Sequence, residues 1–246
     1  MKGYVLFVCL LLCAVGFVQA QSFSTSGEPK GEQTAPPLVP GPNSITQSNN
    51  TGTIYLNSVV CLEGTIGSTQ NQYLRRFFLA ADHGIVNQFD VQSVDFGVEH
   101  ASNAGGTQPL TVNLYTIANG APFLYANMTM IGSMGTTIPD GNLTFEQVAV
   151  TGSVADPNTQ DLVVEIVSPD LRPTGGYFYM GSNADGQTRP SYIAAAYCFI
   201  TEPTDIADIG FPNMQIIMVV SGTEISVLAT GPAAGGASRV RRYQAD

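Results

Sequence analysis

The chain has no tryptophan, only two histidines (His83 and His100), two lysines (Lys2 and Lys30) and few charges of either sign. Charged residues make up 11% of it, where about 25% is usual. Each shortage removes a class of function. Between Thr51 and Thr230 four arginines (Arg75, Arg76, Arg172 and Arg189) stand against sixteen acidic residues, and the formal net charge of the whole chain is −10. Such a surface repels a phosphate backbone, which excludes nucleic-acid binding. It also lacks the basic face of a helix that lies on a membrane. With two histidines and no G-x-S-x-G, a nucleophile–base–orienter triad has little to be built from. His83 sits in "AADHGIV", a turn, and His100 ends "DFGVEHA", at a strand end, so both read as polar turn residues. No pair among the sixteen carboxylates stands out for glycoside cleavage, and an aromatic platform containing tryptophan is missing. The expectation is a protein that is not an enzyme and needs no cofactor.

Long apolar runs are also scarce. The one such run is at the start, "MKGYVLFVCLLLCAVGFVQAQS". Lys2 supplies a basic n-region, Tyr4 to Val15 an apolar core, and "VQA" ahead of Gln21 a small-residue cleavage site. This reads as a secretory signal peptide over residues 1–20, too short to span a membrane comfortably. No other run approaches about 18 apolar residues, and the polar C-terminus lacks a lipid-anchor signal. A secreted, extracellular protein with no membrane insertion after signal cleavage is expected.

Cysteine is sparse too. Cys9 and Cys13 leave with the leader, so Cys61 and Cys198 remain as an even pair in an oxidising compartment. One disulfide between them is expected, with two free buried thiols as the alternative. There is no C-x-x-C to suggest a metal site.

What is plentiful is Gly, Ser, Thr and Asn. Residues 21–50 are rich in Pro, Gly, Ser and Gln and poor in large apolar residues, as in a flexible arm that cannot bury enough surface to order itself. From there to about residue 230, turn signals such as "PDGN", "ADPNTQ" and "NADGQTRP" separate short β-type runs. In "LTVNLYTI", Leu110, Val112, Leu114 and Thr116 alternate with Thr111, Asn113 and Tyr115, the period of a half-buried strand. About ten strands with almost no helical periodicity predict an all-β fold over 51–230. A single antiparallel β-sandwich, jelly-roll-like, fits best. One short helix is expected near 204–210, capped by Thr204 and stopped by Gly210. Residues 231–246 form a glycine-rich tail.

Candidate sites lie mostly in loops. Asn49, Asn127 and Asn142 head Asn-x-Ser/Thr sequons and are glycosylation candidates. Asp140, Asp156, Asp161 and Asp185, with loop amides, offer the oxygens that calcium needs, although none matches D-x-D-x-D-G. The competing reading is that Asp-Gly and Asp-Pro simply make turns. "YFYMGS" suggests a sugar-stacking surface, but Tyr177, Phe178 and Tyr179 alternate faces in a strand, so at least one belongs to the core.

The tail ends "GGASRVRRYQAD". Arg239, Arg241 and Arg242 resemble the recognition site of furin-like processing proteases of secretory pathways. Two other readings stand beside cleavage: a basic tail that docks on the acidic body of another copy, and an inert tail.

The strings "FDVQSVDFGVEHA", "GGTQPLTVNLYTI", "DLVVEIVSPD" and "YFYMGSNADGQTRPSYIAAAYCFITEPTDIADIGFPNMQIIMVVSG" resemble a non-catalytic β-sandwich module of large secreted and cell-surface bacterial proteins. The resemblance implies an extracellular β-sandwich without catalytic residues. Here the module stands nearly alone between an arm and a tail. The expected function is a secreted structural or adhesive protein that self-assembles into an extracellular filament or layer, through the N-terminal arm or the tail. The alternative is a monomeric recognition module that binds carbohydrate or depends on calcium.

Overall fold

The computed structural model describes residues 21–25, 36, 38, 40 and 43–225. The signal peptide over residues 1–20 and the basic site at Arg239, Arg241 and Arg242 lie outside the described residues. No helix among the described residues is long and apolar enough to cross a membrane.

The chain is all-β. Its strands are β1 (Gln21–Thr25), β2 (Ser44–Thr46), β3 (Val59–Glu63), β4 (Gly67–Ser68), β5 (Asn71–Phe77), β6 (Phe89–Ser102), β7 (Thr107–Ala118) and β8 (Met128–Pro139). The second half adds β9 (Gly141–Val154), β10 (Gln160–Ser168), β11 (Tyr177–Met180), β12 (Ser182–Asn183), β13 (Tyr192–Ala195), β14 (Ile200–Asp205), β15 (Gln215–Ile216) and β16 (Met218–Glu224). The excess over the ten expected comes largely from strands of two to five residues. Runs that short carry too few positions for alternation to show.

Two antiparallel sheets face each other. One has the order β14-β13-β5-β10-β7-β8. In the other, β6 is central: β9 pairs along one side, β16 and β11 share the other, and β2 lies beyond β16. Alternation decides which residues meet. On β7, Leu110, Val112 and Leu114 point into the core, and on β10 Leu162, Val164 and Ile166 do the same. Phe89, Phe96, Phe178 and Met218 meet them from the opposite sheet. Burying such side chains contributes roughly 1.5–3 kcal/mol each.

The chain changes sheet repeatedly, at short turns between β6 and β7, between β8 and β9 and between β9 and β10. β8 and β9 cross at close range. A Cβ on Gly132 would stand 2.2 Å from the Thr151 carbonyl oxygen, so only glycine fits.

Three local readings change. Thr204 does not cap a helix. It lies in β14, paired with Ile193 of β13, and turns follow over 206–210. Gly210, at φ 98°, ends those turns rather than a helix. Strand pairing with a buried neighbour outweighs a weak local helix signal. A one-turn helix, α1 (Leu79–His83), forms instead where "AADHGIV" was expected to be a turn, and Gly84 closes it in the left-handed conformation. The sheets also begin earlier than residue 51. Within the segment expected to be an arm, Gln21–Thr25 pairs with β3 and Ser44–Thr46 pairs with β16. Phe23 packs against the core and against the Phe211 ring, which a single phenylalanine among polar residues does not announce.

Arg75 is fully buried. Its guanidinium donates to Gln187 Oε1, to the Arg189 carbonyl (both 2.8 Å) and to the Ile216 carbonyl. Burial pushes its pKa down. These acceptors take up its two terminal nitrogens in place of a carboxylate, while its buried Nε has no partner among the described residues.

Candidate functional site

Cys61, in the middle of β3, is disulfide-bonded to Cys198, with Cα atoms 6.0 Å apart. Cys198 ends a one-turn 3-10 helix, Ala196–Cys198, between β13 and β14, so the bond joins a strand to a turn. The Cys61 N–H donates to Asn71 Oδ1 at 2.8 Å, which ties β3 to the start of β5.

The turn that the disulfide holds forms one wall of a cleft of about 720 Å³ on the outer face of the six-stranded sheet. The floor comes from the positions that alternate away from the core. Register places Gln72, Val167 and Thr111 in one row across β5, β10 and β7. The next row holds Glu165, Asn113 and Ser133 across β10, β7 and β8. Glu165 is the centre. It is 1% exposed and accepts hydrogen bonds from Asn113 Nδ2, Tyr115 OH and Tyr125 OH, each at 2.8 Å. Asn113 Oδ1 in turn accepts from Ser133 Oγ at 2.7 Å. Burial, and then the Glu165 charge, push both phenols well above their ordinary range, so they remain protonated donors.

Arg172 braces the same wall. Its guanidinium pairs with Asp170 at 2.5 Å and with Glu63, and stacks on the Tyr197 ring at 4.6 Å. Hydrogen bonds from Arg172 hold both carboxyls below their ordinary values. Next to Tyr197 and Cys198, Phe199 adopts φ 63° and is 82% exposed. A bulky residue in the left-handed region is a true outlier and carries strain.

A second feature lies at the sheet margin. Among the described residues β8 pairs only with β7, and its residues are mostly exposed, including Met130 at 54% and Met134 at 43%. Its sequence, MTMIGSMGTTIP, has no charge, and the whole run from Ala101 to Pro139 contains no Asp, Glu, Lys or Arg. That run spans the central strand β7 as well, so on its own it does not mark an edge.

The residues singled out from the sequence are scattered. Asp140 accepts from the Asn103 N–H, Asp156 from Asn158 and Thr159, and Asp185 from Tyr55 OH and Asn50. Asp161 forms a buried ion pair with Arg76 at 2.7 Å, and burial pushes its carboxyl up while Arg76 pulls it back. The four stand on different turns and strands. Among the described residues no group of three His, Cys, Asp or Glu side chains comes together to hold a metal.

His83 ends α1; its Nε2 is buried and has no partner among the described residues, and burial pushes its pKa down. His100 lies on β6, bonded to Asn142 and beside the Tyr179 ring. Phe178 belongs to the core, while Tyr177 and Tyr179 face a smaller hollow with His100. Asn49, Asn127 and Asn142 are all exposed. Asn127 immediately precedes β8, and Asn142 follows the turn after it.

The cleft residues Glu165, Tyr115, Tyr125 and Tyr197, and Phe199 beside them, carry only a faint sequence signal. A lone carboxylate inside "VVEIV" is the clearest part of it. The chain matches no protein-family model and no curated protein.

Proposed function

We propose that this chain is a secreted, non-enzymatic structural or adhesive protein that assembles with copies of itself, and that β8 is the edge where two copies meet. The bare edge carries the reading. Natural sheets guard exposed edges with charge, proline or brevity, because unpaired N–H and C=O groups template another strand. β8 has twelve residues and none of these guards before its last position, Pro139. Two β8 strands placed antiparallel form an isologous contact, which closes into a pair. A filament or layer then requires a second contact, and charge supplies one. Arg76, Arg172 and Arg189 are ion-paired and Arg75 is buried, so sixteen acidic residues outnumber four arginines and no free cation stands on the body among the described residues. The basic tail at Arg239–Arg242 complements that surface.

The extracellular setting is supported by the leader-like N-terminus and by the disulfide, which belongs to oxidising compartments. Gln21–Thr25 and Ser44–Thr46 are already paired within the chain, so those stretches are not free to join a neighbour.

Light scattering of the full chain tests this at two salt concentrations. Pairing through the uncharged edge is opposed by repulsion between acidic bodies, so added salt strengthens it. Docking of tails on bodies weakens with salt. Met134→Lys is expected to reduce pairing at least about tenfold, since an edge charge opposes strand addition. A monomer at both salts, or pairing unaffected by Met134→Lys, would remove β8 from the account.

A further inference from the structure

We propose that the cleft on the outer face of the six-stranded sheet binds a neutral saccharide, at a site separate from the β8 edge. The first reason is that the floor is polar where it is also buried. Placing the Glu165 carboxylate at 1% exposure is unfavourable unless its oxygens are satisfied. All three of its donors are cleft residues. The carboxylate therefore fixes the orientation of Asn113, Tyr115 and Tyr125. Fixed polar groups in a concave surface are what a ligand site requires.

The second reason is the kind of groups offered. Each phenol already donates its proton to Glu165, so toward a ligand its oxygen can act only as an acceptor. Gln70 and Gln72 line the same cleft, and among the described residues their amides have no hydrogen-bond partner. Amides that both donate and accept, next to acceptor oxygens, match hydroxyl groups, which do both as well. Tyr115, Tyr125 and Tyr197 are half-exposed rings that can take the apolar C–H face of a sugar.

Charge narrows the class further. Among the described residues the one cation that lines the cleft, Arg172, is already engaged by two carboxylates, and Glu165 and Asp170 make the lining acidic. An anionic ligand would meet repulsion without a free partner. A peptide would lack a deep apolar pocket to anchor a side chain.

The strained wall is the third observation. Phe199 holds a left-handed conformation and exposes its side chain beside the lining residues Tyr197 and Ile200, on a turn fixed by the disulfide. Strain of this kind persists where the surroundings enforce it and gathers at ligand sites.

The test is calorimetric titration of the full chain with tetrasaccharides of β-1,4-glucan, xylan, mannan and chitin. A heparin tetrasaccharide and a neutral decapeptide serve as controls. At least one neutral tetrasaccharide is expected to bind. Tyr125→Phe, which removes one hydroxyl, is expected to weaken it about fivefold. Phe199→Ala, at an exposed position that leaves the core untouched, is expected to weaken it about tenfold. Met134→Lys, on the edge, is expected to leave it unchanged, which separates this site from self-association. No binding of any neutral tetrasaccharide at millimolar concentration overturns the proposal. So does binding insensitive to both cleft substitutions, or binding of heparin or peptide alone.

Discussion

On one flank of the sandwich the sheets end in β14 and β2; on the other they end in β8 and β9. β14 reads ITEPTD, with Glu202, Pro203 and Asp205, and β2 is three residues long. β8 and β9 are twelve and fourteen residues long, and Glu146 is the one charge between Met128 and Pro139 or Gly141 and Val154. The first flank carries charge, proline and brevity, the devices that stop one sheet from adding to another. The second carries almost none. The same fold thus has a closed side and an open one, and the difference lies in side chains rather than in topology. The disulfide and the cleft wall belong to the closed side, where Cys198 leads directly into β14.

The largest expected effect comes from releasing the closed side. The disulfide spans a sequence separation of 137 residues. On the chain-entropy account, Cys61→Ser with Cys198→Ser costs about 4–5 kcal/mol, read as a drop in denaturant midpoint. Arg75→Met comes next. It leaves the Arg189 carbonyl without its donor, and Gln187 Oε1 and the Ile216 carbonyl with only Ser191 Oγ and Ser48 Oγ; about 1–3 kcal/mol of stability is expected to go, measured by the same titration.

Exchanging the flanks gives a smaller effect on stability and a larger one on assembly. Glu202→Thr with Asp205→Thr strips the charge from β14. Mass by light scattering is expected to rise, because two bare edges allow open-ended growth where one allows only pairs. An unchanged mass would show that charge is not what closes that flank. Glycosylation offers the reverse experiment. Asn127 and Asn142 bracket β8, so chains carrying glycans there are expected to pair less than Asn127→Gln, Asn142→Gln chains, compared by the same light scattering.

The smallest effect is on the cleft wall. Arg172 depresses the pKa values of Glu63 and Asp170, so their contribution is present above the ordinary carboxyl range. It is lost as pH falls through the depressed values. Faster hydrogen exchange at Gly175 and Gly176 below about pH 4, ahead of global unfolding, is the expected sign. Uniform protection down to the unfolding transition would show that the pair does not hold the wall.

Much of the framework was legible in the residues. Alternation in "LTVNLYTI" assigned the inner face of β7, and Leu110, Val112 and Leu114 are indeed core residues. The even pair of cysteines gave the disulfide. Alternation in "YFY" placed one ring inside, and Phe178 is that ring. The misread stretch near 204–210 failed for a physical reason. Capping and glycine signals are local and weak, and pairing of Ile193 with Thr204 overrode them.

The cleft and the edge were not legible in the same way. Periodicity and cysteine count are properties of neighbours in the chain, and they determined an all-β, disulfide-bonded fold. Which strand stands last in a sheet depends on pairings between residues far apart in sequence. Only the tertiary structure decided that β8 has a partner on one side, and that Tyr125, Glu165 and Tyr197 border one hollow. Long-range pairing has no local code, because alternation tells which face of a strand is buried but not which strands it lies between.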